Sequence, residues 1–342
     1  MKEIRTEDAV GHILCHDITQ IIKDVKKGVL FKKGHVVKEE DIPALLSVGK
    51  EHLYVCEKDE NMLHENEAAE ILYQICAGEN MHGTEVKEGK IELVAECEGV
   101  LKIRREGLRG VNSLGEMMIA SRHGDFPVKP GDKIAGTRII PLVIEKEKMQ
   151  KAVETAGSEP LFSILSYKSK KVGIVTTGSE IKKELIVDKF TPVLLEKLKE
   201  FPVEILGQTR PGDDRKQITE DILEFIKQGA ELVICSGGMS VDPDDRTPGA
   251  IKDTGAEIIT YGAPVLPGAM LLLAYYTWND KKIPILGLPG CVMYAKRTVF
   301  DLILPRVMAE DPIKADEIYA YGEGGLCLNC EVCVFPNCGF GK

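Results

Sequence analysis

The chain has 342 residues, room for two domains and at least one sizeable core. Hydrophobic residues make up 44% and charged residues 29%, ordinary for a soluble protein; a net charge of -10 argues against a nucleic-acid partner. The opening MKEIRTEDAVGH carries no apolar signal segment and no run reaches the length of a bilayer span, so the expectation is a cytoplasmic protein without a membrane partner.

Residues 1–80 read as a small α+β region. Short strand-like runs flank two helical patterns, EEDIPALLSVG closed by Gly49 and NEAAEILYQICAG with Ala68, Ile71, Leu72 and Ile75 on one face. Gly78 is the expected stop of the second. Residues 84–160 read as β-rich, with IELVAEC, GVLKIRR, EMMIA and DKIAGTRIIPLVI between Gly and Pro turns, and then a charged linker helix, IEKEKMQKAVETAG.

From Lys170 the rhythm changes. KKVGIVTT, VEILGQT, AELVICSGG and AEIITYG read as strands. FTPVLLEKLKEF, with Thr191 as N-cap, DDRKQITEDILEFIKQG and the short TPGAIKDTG read as helices between them. GAMLLLAYYTWNDKKIPILGLPG reads as two strands around Trp278-Asn279-Asp280, followed by a helix from Met293 to Met308. This alternation predicts an α/β fold over 170–310, a mostly parallel sheet with helices on both faces, whose ligands sit beyond the carboxyl ends of the strands.

Four polar, glycine-containing loops follow strands in this half: Thr176 to Glu180, Pro211 to Asp214, Ser236 to Ser240 with Asp242, Asp244 and Asp245 behind it, and Leu288 to Cys291. Parallel strands would bring them to one edge. Glycine lets backbone N–H groups approach an anion, and neighbouring carboxylates suit Mg²⁺ shared with a phosphate. Asp213 and Asp214 read equally as N-caps of the following helix. Thr247 reads as a cap, and Cys291 either as a small buried hydrophobe or as a thiolate favoured by a helix N-terminus.

As a set, T-T-G-S-E, D-D, S-G-G-x-S with acids, P-G and G-L-P-G resemble the molybdopterin-binding domain of MoeA- and MogA-type proteins of molybdenum-cofactor biosynthesis. The resemblance implies a pterin site at Thr177, Gly178, Ser236, Gly237, Gly238 and Ser240, joined by Pro289 and Gly290. It implies Glu180, Asp214 and Asp245 as the acids of a Mg²⁺-dependent transfer of molybdate to adenylylated molybdopterin. A non-catalytic carrier or sensor of the cofactor is the alternative, and D-D-R-T also resembles the nucleotide pyrophosphohydrolase domain of CinA. Molybdopterin or the finished cofactor, an apo-molybdoenzyme and a second copy of the chain are the candidate partners. Three positions depart from the family pattern: Ser179, Ala269 where a Lys is usual, and Cys291 where an Asn is usual.

Six of the ten cysteines are scattered: Cys15, Cys56, Cys76, Cys97, Cys235 and Cys291. Most sit in apolar runs and read as small buried hydrophobes. The other four, Cys327, Cys330, Cys333 and Cys338, crowd the segment 322–342 as C-x2-C-x2-C-x4-C, a metal-ligand spacing that suits an iron–sulfur cluster or zinc. Gly322, Gly324 and Gly325 ahead of them suggest a flexible tether.

Overall fold

Continuous apolar runs such as Leu232–Ser236 make strands buried on both faces, and such strands belong in the middle of a parallel sheet. The computed structural model, which describes residues 2–22, 26–55 and 60–342, builds that sheet. Its strands are β1 (Lys170–Thr176), β2 (Val203–Thr209), β3 (Leu232–Ser236), β4 (Glu257–Tyr261), β5 (Leu272–Trp278) and β6 (Lys281–Leu288). The spatial order is β2-β1-β3-β6-β5-β4. The pairs β2–β1, β1–β3 and β3–β6 are parallel; β5 runs antiparallel to both its neighbours. The β5–β6 hairpin turns through Asn279 and Asp280, both at positive φ, as a two-residue hairpin requires.

Helices cover both faces. Helices α1 (Phe190–Leu198) and α4 (Val299–Met308) share a core with Val172, Ile174, Leu232, Ile234 and Leu286. Helices α2 (Arg215–Lys227) and α3 (Thr247–Asp253) share another with Val175, Val233, Cys235 and Ile285. The face expected of α2, Ile218, Ile222, Phe225 and Ile226, is the one buried. Gly173 in β1 leaves room for it: a Cβ there would stand 2.5 Å from the Phe225 ring.

Two helix starts differ from the sequence expectation. Thr191 does not cap α1; the Asp188 carboxylate accepts the N–H groups of Phe190 and Thr191 at 3.0 Å each. The helix expected from Met293 begins only at Val299, because Thr298 and Asp301 form a reciprocal capping box there. A short 3-10 turn spans Gly290–Met293 ahead of it.

The chain divides into two compact units, the first Met1–Glu96, Ile103–Arg122 and Pro130–Ser163, the second Cys97–Lys102, His123–Lys129 and Ile164–Lys342. The first holds a four-stranded antiparallel sheet of Met81–Gly83, Lys90–Ala95, Lys133–Ile139 and Met117–Ser121, with helices Glu65–Cys76 and Lys146–Ala156. The buried face of Glu65–Cys76 is Ala68, Ala69, Leu72 and Cys76; it shares Ala68 and Leu72 with the expected set, while Ile71 and Ile75 are half-buried. Arg105–Asn112 is a helix that its polar, glycine-bearing sequence hides. Its Gly107 and Gly110 seat it closely, since a Cβ at either would lie 2.8 Å from Leu161 or Thr155. Cys15, Cys76 and Cys235 are buried, as their apolar runs imply, whereas Cys97 is half-buried and Cys56 lies outside the described residues.

The segment after Gly322 is not a loose tether. Gly341 N–H donates to the Gly324 carbonyl at 2.9 Å and Cys327 N–H to the Leu266 carbonyl at 2.7 Å. Phe340 is buried in the core shared by α1 and α4, and Phe335, Cys327 and Cys338 pack against it.

Candidate functional site

The parallel register places the four loops in a row. Thr176 at the end of β1 pairs with Ser236 of β3, Ser236 with Leu288 of β6, and Val175 with Thr209 of β2. Each strand therefore releases its polar loop at the same edge.

Side chains then tie the loops together. Thr177 is buried, with its N–H donating to the Ser236 carbonyl at 2.8 Å and its hydroxyl to the same carbonyl at 3.2 Å. Thr247 at the start of α3 donates its hydroxyl to the Gly237 carbonyl at 2.8 Å and lies 3.1 Å from the Thr177 hydroxyl. Gly237 and Gly238 both have positive φ. A Cβ on Gly237 would meet the Thr177 carbonyl at 2.6 Å, and one on Gly238 the Thr247 hydroxyl at 2.9 Å. Part of the demand for bare backbone here is therefore internal: the β1 and β3 loops touch where a side chain would stand. Asp213 joins the β2 loop to this knot by accepting the Ser179 N–H at 2.7 Å, and Lys182 donates to the Pro211 carbonyl at 2.8 Å.

A cavity of about 550 Å³ opens beside the knot, lined by Thr176, Thr177, Ser236, Gly237, Asp188, Lys189 and Phe190 under Ile181, Ile186, Val187 and Met293. That size and the mix of an apolar wall with a few polar groups suit a small organic ligand. Two of its lining residues, Thr176 and Asp188, belong to a polar network that the sequence reading missed. Gln208 of β2 donates its amide N–H groups to Thr176, Asp188 and Thr191 at 2.8, 2.8 and 2.9 Å. Thr191 also donates its hydroxyl to Asp188 at 2.6 Å. Burial pushes the Asp188 pKa up, but the hydrogen bonds from Thr191, Gln208 and Phe190 outweigh it and hold the carboxyl below its ordinary value. Asp188 three residues before Thr191-Pro192, at a helix start, was the available signal.

Of the residues expected at a site, Thr177, Ser236 and Gly237 line this cavity. Gly178 and Gly238 flank it in the same loops, and Ser240 is exposed, its carbonyl accepting the Tyr261 hydroxyl at 3.3 Å. Pro289 is buried; Gly290 is exposed, with open space where a Cβ would go. Glu180 is exposed on the turn after Gly178. Asp214 caps α2, accepting the N–H groups of Lys216 and Gln217 at 3.0 and 3.2 Å, and Asp245 closes its own loop on the Asp242 N–H at 3.2 Å. Among the described residues no group of three or more His, Cys, Asp or Glu is set as metal ligands are. The three acids thus do not form a magnesium cage. Cys291 is half-buried, and burial raises its thiol pKa against the lowering by nearby backbone N–H groups, so it is neutral rather than an activated thiolate. The four tail cysteines all line a different recess, of about 250 Å³.

Comparison with known proteins finds matches at both ends of the chain. The family described as "Probable molybdopterin binding domain" matches residues 173–309, and "Domain of unknown function (DUF8806)" matches residues 3–57. A molybdopterin molybdenumtransferase of Synechococcus elongatus is 26% identical over 182 residues, 51% of this chain and 42% of its own length. A CinA-like protein of Mycobacterium tuberculosis is 33% identical over 79 residues, 23% of this chain and 18% of its own length. The matched region is thus less than half the length of either curated relative. The tungsten cofactor synthesizing protein MoaB of Pyrococcus furiosus is 19% identical with a TM-score of 0.32, over 42% of this chain and 89% of that one. Among the described residues no helix is long and apolar enough to cross a membrane.

Proposed function

From a MoeA/MogA-type molybdopterin-binding domain at residues 173–309, we propose that the chain binds molybdopterin, or the finished cofactor, in the cavity at the ends of β1 and β3 and serves molybdenum-cofactor assembly. The observation that carries this is the convergence of Thr177, Ser236 and Gly237 on one cavity at the carboxyl edge of a parallel sheet, the position where such folds hold ligands. The ligand's phosphate would meet Lys189 and loop N–H groups; the apolar wall, with Phe190 and Met293, would cover the ring system.

Two forms of this function are distinguishable. In the catalytic form, resembling the molybdenumtransferases, Glu180, Asp214 and Asp245 assist molybdate insertion with magnesium. In the other, the protein carries the cofactor to an apo-molybdoenzyme. The capping of α2 by Asp214 and the closure of the Asp245 loop favour the carrier, because neither carboxylate is turned to the cavity wall. A pyrophosphohydrolase in the manner of CinA has the 33% match over 79 residues in its favour, but no feature of the site's geometry favours it over the carrier.

The test is equilibrium binding of molybdopterin under anaerobic conditions. Lys189→Glu reverses a charge on the cavity wall without touching a core contact, and should weaken binding by about tenfold or more, roughly 1.4 kcal/mol. Equal affinity of the two proteins removes the cavity as the site. Cofactor formation from molybdopterin, molybdate and Mg²⁺ separates the two forms: little or none is expected of a carrier, and Ala269→Lys should raise it while leaving pterin affinity unchanged.

A further inference from the structure

The recess beside the tail holds chemistry that pterin binding does not use. Cys327, Cys330, Cys333 and Cys338 line it together. Cys330 and Cys333 are exposed, so neither has the packing role of a core cysteine. Two cations share the lining. Lys296 Nζ donates to the carbonyls of Cys330 and Glu331 at 3.3 and 2.6 Å. Arg297 lies with its guanidinium carbon 5.1 Å from the Phe335 ring centroid. The backbone on either side is docked, at Cys327 on Leu266 and at Gly341 on Gly324.

We propose that these four cysteines bind one thiophilic metal centre, a zinc ion or a [4Fe–4S] cluster, with Lys296 and Arg297 as its charge-compensating neighbours. Four thiolates around a centre of charge +2 leave two negative charges uncompensated, and two cations face the recess. Each S–H gives its proton to solvent and its sulfur to the metal, with no change of oxidation state at sulfur. Among the described residues the thiols do not yet stand as a ligand set, so binding draws the exposed pair inward toward Cys327 and Cys338. Beyond the Leu266–Leu326 bridge no helix or strand follows, so no hydrogen-bonded ladder resists the movement of Cys330 and Cys333. The centre would pin the tail against the core that Phe340 already enters.

The full chain purified anaerobically, with iron and zinc measured per chain, tests this without reference to pterin. We expect either one zinc in a colourless protein, or four irons with matching sulfide and a visible absorption that dithionite bleaches; each identifies the source of the same tetrathiolate chemistry. The double variant Cys330→Ser/Cys333→Ser changes only exposed side chains and should lose the metal while keeping the wild-type near-ultraviolet circular dichroism. Lys296→Met should keep the metal but weaken zinc affinity by about tenfold or more, as the loss of an outer-shell partner does. If the double variant does not fold, chelator-stripped wild type titrated with zinc, and separately reconstituted with ferrous iron and sulfide, decides instead. A wild type that takes up neither, or a double variant with undiminished metal, overturns the proposal.

Discussion

At Gly237 the space for a side chain is taken by the Thr177 carbonyl, and φ is +87°. Gly237→Ala must therefore move a loop or strain one, which should cost about 1–3 kcal/mol of stability, read as a lower urea midpoint with an unchanged slope. Any loss of ligand binding in that variant would be mixed with loss of loop structure, which is why Lys189 is the cleaner probe. Asp188 offers a second test. Its folded-state pKa is depressed, so its contribution is fully present above the ordinary carboxylate pKa of about 3.9 and disappears as pH falls through the folded value. Asp188→Ala leaves the Phe190 and Thr191 N–H groups without their acceptor and should cost about 1–2 kcal/mol at neutral pH. The gap between wild type and variant should close in denaturation series carried below pH 4; a gap that stays constant to pH 2 would remove the charge from the explanation. The residues around Asp188 also show where sequence reading stops. Thr177, Ser236 and Gly237 stood out because loop position and residue type agree there, whereas Gln208 lies inside a strand and becomes a site residue only once β2 is known to lie beside β1.

Among the elements, α4 is buried along its whole length and carries an acid in its first turn. Asp301 accepts the Thr298 N–H at 2.7 Å while bonding Lys197 and Arg297, each at 2.9 Å. Asp301→Ala would leave a half-buried lysine and arginine facing one another and uncap the helix; about 3–5 kcal/mol should be lost, checked by thermal and urea unfolding. The same element explains a miss. Apolar residues at helical spacing run back through Val292 and Met293, so periodicity extends the helix to Met293, but the Thr298–Asp301 box starts a new one. The alternation of strands and helices after Lys170 was legible because each strand is apolar throughout and each helix has a single apolar face. The helix Arg105–Asn112 was not, since its glycines are explained only by the neighbours they let in.

For the whole molecule, the docking of the tail has a measurable effect. Phe340 is 5% exposed, and its ring centroid lies 6.2 Å from that of Phe335. Phe340→Ala should cost about 3 kcal/mol and lower the melting temperature of the second unit, where a loose tether would leave it unchanged. The glycines at 322, 324 and 325 read as flexible in sequence because composition alone cannot see that Gly325 approaches the carbonyls of Tyr321 and Pro264 too closely for a Cβ. The edge knot, by contrast, joins residues seventy positions apart, Thr177 and Thr247, through hydroxyls 3.1 Å from one another. Substitutions there should behave as one unit: Thr177→Val and Thr247→Val together should cost less than the sum of the two singly. A lineage that changes one of these threonines meets a different fitness landscape at the other, so the two loops drift as a pair although neither is near the other in the gene.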